Sequence, residues 1–238
     1  QQIALGHYII CALFDSKHPR RPDYMNAFFA WEPIDEDNVS EYYPGEGDRT
    51  RYSRALSMYK AFLLEAGFKG GDKLHVRLHL SGPIKKRLAE LPGVADFAAI
   101  ENDRDGKPQL AERQSLPVAA RIYERLWNLY NTNREDATLF PISRRSGKPY
   151  FDGIHECFLR MIGSRSISGP KKITPFTDYH DPGGGNLAKS IVNEVEEGKT
   201  VLIDLAQADQ QVSQFYTEML AKAVLAKQME KFATLSAE

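Results

Sequence analysis

Two cysteines, Cys11 and Cys157, are too few for a disulfide framework, and a reducing, cytoplasmic setting is expected. No apolar run approaches the roughly 20 residues that span a bilayer, so no membrane partner is expected. No signal peptide is expected, since the start, Gln1-Gln-Ile-Ala-Leu, has no basic lead. The chain begins at Gln1 rather than Met, which suggests a segment of a longer polypeptide. A net charge of −1 excludes whole-molecule attraction to nucleic acid, leaving only local patches to provide it. A complete phosphate-binding loop is also missing. Gly198-Lys199-Thr200 ends like one, but Asn193 stands where the first glycine belongs, and a helix precedes it where a strand should. Gly106-Lys107 and Gly147-Lys148 are each followed by proline and fail the same test.

With 42% apolar and 26% charged residues the chain has a globular composition, which excludes disordered and collagen-like classes. Tyr8-Ile-Ile-Cys-Ala-Leu-Phe14 is an unbroken apolar run and reads as a strand buried on both faces. Residues 18–50 read as a long irregular connection, with Trp31, Tyr42 and Tyr43 as surface aromatics. Arg54 to Ala66 has helical spacing, with Gly67 as its terminating glycine. Leu74 to Leu80 alternates like a half-buried strand. Ser81 and Pro83 start a helix that Pro92-Gly93 stops. Pro117 to Tyr130 and Phe151 to Ile162 are further amphipathic helices. The last quarter reads as a glycine-rich turn at 178–186, a helix over Leu187 to Glu197, a buried strand Thr200-Val-Leu-Ile-Asp-Leu205, and a long helix from about Gln210 to Phe232 packed against a sheet.

Several residues carry potential chemistry. Between Ile142 and Lys172 lie seven basic residues (Arg144, Arg145, Lys148, Arg160, Arg165, Lys171 and Lys172) against Asp152 and Glu156, with serines and glycines between them. A solvated loop is the plain reading; phosphate contact is the functional one. Arg144 and Arg145 also suit a finger that reaches a neighbour's nucleotide. His75 and His79 share one face of their strand and offer two metal ligands without a third, so no metal site is assigned. Asp15 and Asp204 each end an expected strand, where a carboxylate orients water or Mg²⁺, or simply caps the next turn.

Ile173-Thr-Pro-Phe176, Tyr179-His-Asp-Pro-Gly-Gly-Gly-Asn186 and Glu197-Gly-Lys-Thr-Val-Leu-Ile-Asp-Leu205 with the following helix resemble the central part of HerA-like ATPases. These are DNA-translocating motors of the HerA/FtsK superfamily. Ile9 to Asp15 resembles the strand after that family's Walker A helix, although the Gly-Glu pair that follows it there is missing here. The resemblance implies an α/β fold: a partial RecA-like parallel sheet over 1–50 and 166–238, with a mainly helical insertion over 51–165. It further implies double-stranded DNA, ATP and Mg²⁺ as ligands and self-association into a hexameric ring. The Walker A lysine and Walker B acidic pair have no counterpart, so this stretch alone is expected to be inactive. On that reading Lys171, Lys172, Arg144, Arg145 and Arg165 contact DNA phosphates, and the catalytic residues are unknown, with Asp15, Asp204, Arg144 and Arg145 as candidates. The alternatives are a non-catalytic module that docks a partner nuclease and a metal-dependent hydrolase using Asp15, Asp204 and the histidines.

Overall fold

A computed structural model describes residues 2–15, 17, 19, 21–34, 38–144, 146–164, 170–179, 187–206, 208 and 210–235. Its centre is α4 (Glu46–Glu65), whose Tyr59, Phe62 and Met58 are fully enclosed. Glu46 and Asp48 in the first turn complement the dipole of this 20-residue helix. At its other end Gly67 adopts φ +99, Gly67 N–H donates to Leu64 O and Phe68 N–H to Leu63 O. That is a Schellman closure, sealed by contact between the buried Phe68 and Leu63. Against α4 pack α6 (Leu116–Thr132) and α7 (Gly153–Gly163), which also pack on each other. α1 (Gln2–Leu13), the short α2 (Met25–Phe29) and α3 (Val39–Tyr42) complete that layer, and α5 (Gly82–Ala89) leans on α6. α8 (Leu187–Glu196) and α9 (Gln210–Leu235) pack together, and α9 meets the core through α1.

The described strands form two antiparallel pairs. β1 (His75–Arg77) pairs with β4 (Arg113–Ser115), and β2 (Ile100–Asn102) pairs with β3 (Pro108–Leu110) through a turn at Asp103 to Lys107. In β1 and β4, Val76 and Gln114 face the core while His75, Arg77 and Arg113 face outward. Gln114 is buried because its amide replaces missing sheet partners: it accepts from Ala99 N–H and donates to Ala99 O and Ala111 O.

The expected RecA-like parallel sheet is not present among the described residues; the chain is mostly helical. Tyr8 to Phe14 belongs to α1 and its end. Gly6, Ile9, Ile10 and Phe14 are buried at helical spacing, and Tyr8 and Cys11 are half-covered because helices flank α1 on two sides. An apolar run enclosed by two helices has the same sequence signature as a strand inside a sheet. Gly6 lets α1 approach α4 closely there, since an added Cβ would lie 2.5 Å from Leu63 Cδ2 and force that side chain to shift. Thr200 to Leu205 is irregular and connects α8 to α9, with Leu202 93% exposed. Apolar β-branched residues alone do not make a strand where no second strand offers its backbone. The long helix α9 therefore packs on helices rather than on a sheet. Residues 18–50 hold α2, α3 and the start of α4 rather than an irregular connection. Trp31 is buried and stacks on Tyr52 at 5.9 Å, Tyr43 stacks on Tyr52 at 5.0 Å, and Tyr42 is the exposed member. The glycine-rich turn at 180–186 lies outside the described residues.

Candidate functional site: a cationic cleft on the β1–β4 face

Backbone register determines this site. Leu78 N–H donates to Glu112 O and Leu116 N–H to Leu74 O. Hydrogen-bonded pairs therefore fall at 78/112, 76/114 and 74/116, leaving His75↔Ser115 and Arg77↔Arg113 as non-hydrogen-bonded pairs. At such positions the Cα atoms approach to about 4.5 Å and the side chains run side by side. Arg77 and Arg113 are therefore cross-strand neighbours on one exposed face, and like charges paired in this way are destabilising. Among the described residues neither has a carboxylate within ion-pairing distance.

The wall facing them is α4, contributing Ser53, Leu56, Ser57 and Lys60. The open cleft has a volume of about 450 Å3, and His75, Val76, His79 and Val39 complete the lining. No carboxylate lines it. Ser57 Oγ is hydrogen-bonded to Tyr123 OH beneath the floor.

His79, two residues beyond β1, has φ +53, a left-handed conformation costly for a residue with a Cβ. Two contacts hold it: its N–H donates to Glu112 Oε1 at 2.8 Å, and its carbonyl accepts from Arg54 Nε at 2.8 Å. Burial pushes the His79 imidazole below its usual value; Glu112 opposes this, while Arg54 and Arg77 add to it. Glu112 is itself drawn aside by Lys85 at 3.3 Å. Arg54 is 6% exposed, donates also to Tyr150 O at 3.1 Å and lies 4.4 Å above the Tyr150 ring. Burial lowers its proton affinity, but as an arginine it stays charged.

A second cleft of about 750 Å3 lies on the other side of Arg54, between the start of α4 and the 141–150 loop. It contains Glu46 and Asp48, and its cations are already engaged. Arg51 Nη1 donates to Pro149 O at 2.9 Å, and Lys148 pairs with Asp48 at 3.1 Å. The smaller cleft is therefore the stronger anion site.

Of the residues singled out from sequence, His75 and His79 do lie together, but among cations. Among the described residues no group of three His, Cys, Asp or Glu side chains forms a metal-binding set. Asp15 and Asp204 end no strands; each accepts a backbone N–H two residues on, from Lys17 at 2.7 Å and Ala206 at 2.8 Å. They act as local turn caps. Arg144 is exposed on its loop, Lys171 and Lys172 are exposed on a 3-10 turn at Pro170–Lys172, and Lys172 lies 4.4 Å from the Phe14 ring. None of the three lines the cleft. Arg145 and Arg165 lie outside the described residues. Sequence reasoning missed Lys60, Arg77 and Arg113. The alternation over Leu74 to Leu80 does place Arg77 on the face of His75 and His79, but nothing local assigns Arg113 to the opposite position.

Comparison with family models, with curated proteins and with solved structures finds no match to the chain. Among the described residues no helix is long and apolar enough to cross a membrane.

Proposed function

We propose that the chain is a nucleic-acid-binding module that holds phosphate in the cleft between α4 and the β1–β4 face. The observation that carries this reading is the opposed Arg77–Arg113 pair, whose mutual repulsion an anion between them would relieve. A cleft with cations and no carboxylate repels metal ions and attracts phosphate. Arg144, Lys171 and Lys172, with Arg145 and Arg165 on sequence grounds, are proposed as outer contacts to the same backbone. Free Cys11 and Cys157 suit a cytoplasmic setting.

The test is DNA binding as a function of salt. Wild type should lose affinity with a log–log slope of roughly −0.7 to −0.9 per neutralised phosphate, and Arg77→Gln or Arg113→Gln should each flatten that slope by about one contact. Binding by the double variant equal to wild type would reject the cleft.

A HerA-like translocase, with ATP, Mg²⁺ and a hexameric ring, is a proposal resting on the sequence resemblance alone, because the strand expected at 200–205 is not formed. One observation favours a second reading, a protein-docking module. Leu225, Met229 and Phe232 lie at helical spacing along α9 and are 61%, 65% and 77% exposed. Met229→Lys should abolish association with a partner or a second copy, read by light scattering and co-purification. Unchanged association would reject it.

A further inference from the structure

We infer that the group this cleft takes is a terminal phosphate monoester at the end of a nucleic-acid strand, rather than an internal phosphodiester. The inference rests on the nucleic-acid reading above and goes further by naming the ligand.

Register supplies the first reason. Arg77 and Arg113 are directly opposite in a non-hydrogen-bonded pair and line the same cleft, so their side chains can reach one anion together instead of spreading along a backbone. The second reason is a balance of charge and acceptors. Each guanidinium presents five N–H donors in a planar fork. An internal diester offers two terminal oxygens and one charge. A monoester offers three terminal oxygens and about −1.5 to −2 charges at neutral pH. Two guanidinium charges on one phosphate therefore leave positive charge uncompensated on a diester and are matched by the charge and third oxygen of a monoester.

The cleft's walls supply the third reason. α4 closes one side and Val39 lines it from α3, leaving about 450 Å3. That is the scale of a small-molecule pocket, roughly 300–1,000 Å3, which seats a terminal nucleotide. The backbone of His79, which lines the cleft, is fixed by Glu112 and Arg54 in its left-handed conformation. Strain held in place by two partners is a feature of ligand-clamping positions. Ser53, on the α4 wall, adds a residue with a hydroxyl to the lining.

The experiment uses the full chain and single-stranded oligonucleotides of one sequence, carrying a phosphate or a hydroxyl at the terminus. Binding is read by fluorescence anisotropy for wild type, Arg77→Gln, Arg113→Gln and the remote surface control Lys222→Gln. Thermal melting of each variant verifies that it is folded. The expected result is about tenfold or greater preference for the phosphorylated end, the fold-change of one charge-assisted contact. That preference should disappear in Arg77→Gln and Arg113→Gln and persist in Lys222→Gln. Equal binding of phosphorylated and hydroxyl strands, with both weakened by the arginine variants, would overturn the monoester inference and leave the nucleic-acid reading standing. No binding of either strand would overturn both. An excess of adenosine monophosphate is the final arm. Failure to compete supports the strand end; competition on a par with the phosphorylated strand overturns it in favour of a free nucleotide.

Discussion

Removing one guanidinium from the Arg77–Arg113 pair should stabilise the empty protein while weakening its ligand. Take Arg113→Gln. Like charges directly opposite on a strand pair destabilise by roughly 0.2–1 kcal/mol. For a chain of this size that corresponds to a rise in Tm of about 1–3 °C at low salt. The gain should fade towards 1 M salt, where the screening length is about 3 Å. A saturating phosphorylated ligand reverses the order. At about 100 times Kd it adds roughly 2.7 kcal/mol to wild type, and less to the variant, which binds it more weakly. The assay is differential scanning calorimetry at low and high salt, with and without ligand. A lower Tm for Arg113→Gln without ligand, insensitive to salt, would refute the reasoning, because it would mean the guanidinium stabilises the fold instead of straining it.

Three other outcomes follow from the packing and electrostatics. Gly163→Ala should destabilise by about 1–3 kcal/mol in denaturant titration, because the new Cβ would lie 2.4 Å from Trp127 Cβ, an overpacking that outweighs the helix preference for alanine. Gly67→Ala should cost about 1–2 kcal/mol by the same measurement, since φ +99 at the end of α4 excludes a Cβ. Asp152 caps α7 and bonds to His155 Nδ1 at 2.6 Å; burial would raise its pKa, but the His155 contact prevails and holds it at about 2. A carboxyl depressed on folding stabilises above its unfolded pKa and loses that contribution as pH falls. Wild type should therefore lose stability between about pH 4 and pH 2 more steeply than Asp152→Asn. Discounted for a side chain that is 38% exposed, the difference is roughly 1 kcal/mol; identical acid profiles would contradict it.

Local signals made much of the helical core legible. Spacing found α4, α6, α7 and α8, and Gly67 and the Ser81–Pro83 start behave as their chemistry requires. The two misread strands failed for one reason. Tyr8 to Phe14 and Val201 to Leu205 are apolar and rich in strand-forming residues, yet periodicity carries no information on whether a neighbouring backbone is available to pair. α1 found helices on two sides, and 201–205 found no second strand. The site was half visible. His75, Arg77 and His79 share a face by simple alternation, but Arg113 reaches that face only after α5 and the β2–β3 hairpin bring β4 back alongside β1. The basic cluster over 142–172 stood out because its charges are adjacent in sequence; Lys60, Arg77 and Arg113 come from distant segments and produce no such density.

The most direct measurement of the central claim is a two-dimensional amide NMR titration of the full chain with a 5′-phosphorylated oligonucleotide. The cleft account predicts that the largest shifts fall on Ser53 to Lys60, His75 to His79 and Arg113 to Ser115. Shifts confined to Arg144, Lys171 and Lys172, with the β1–β4 face silent, would contradict it.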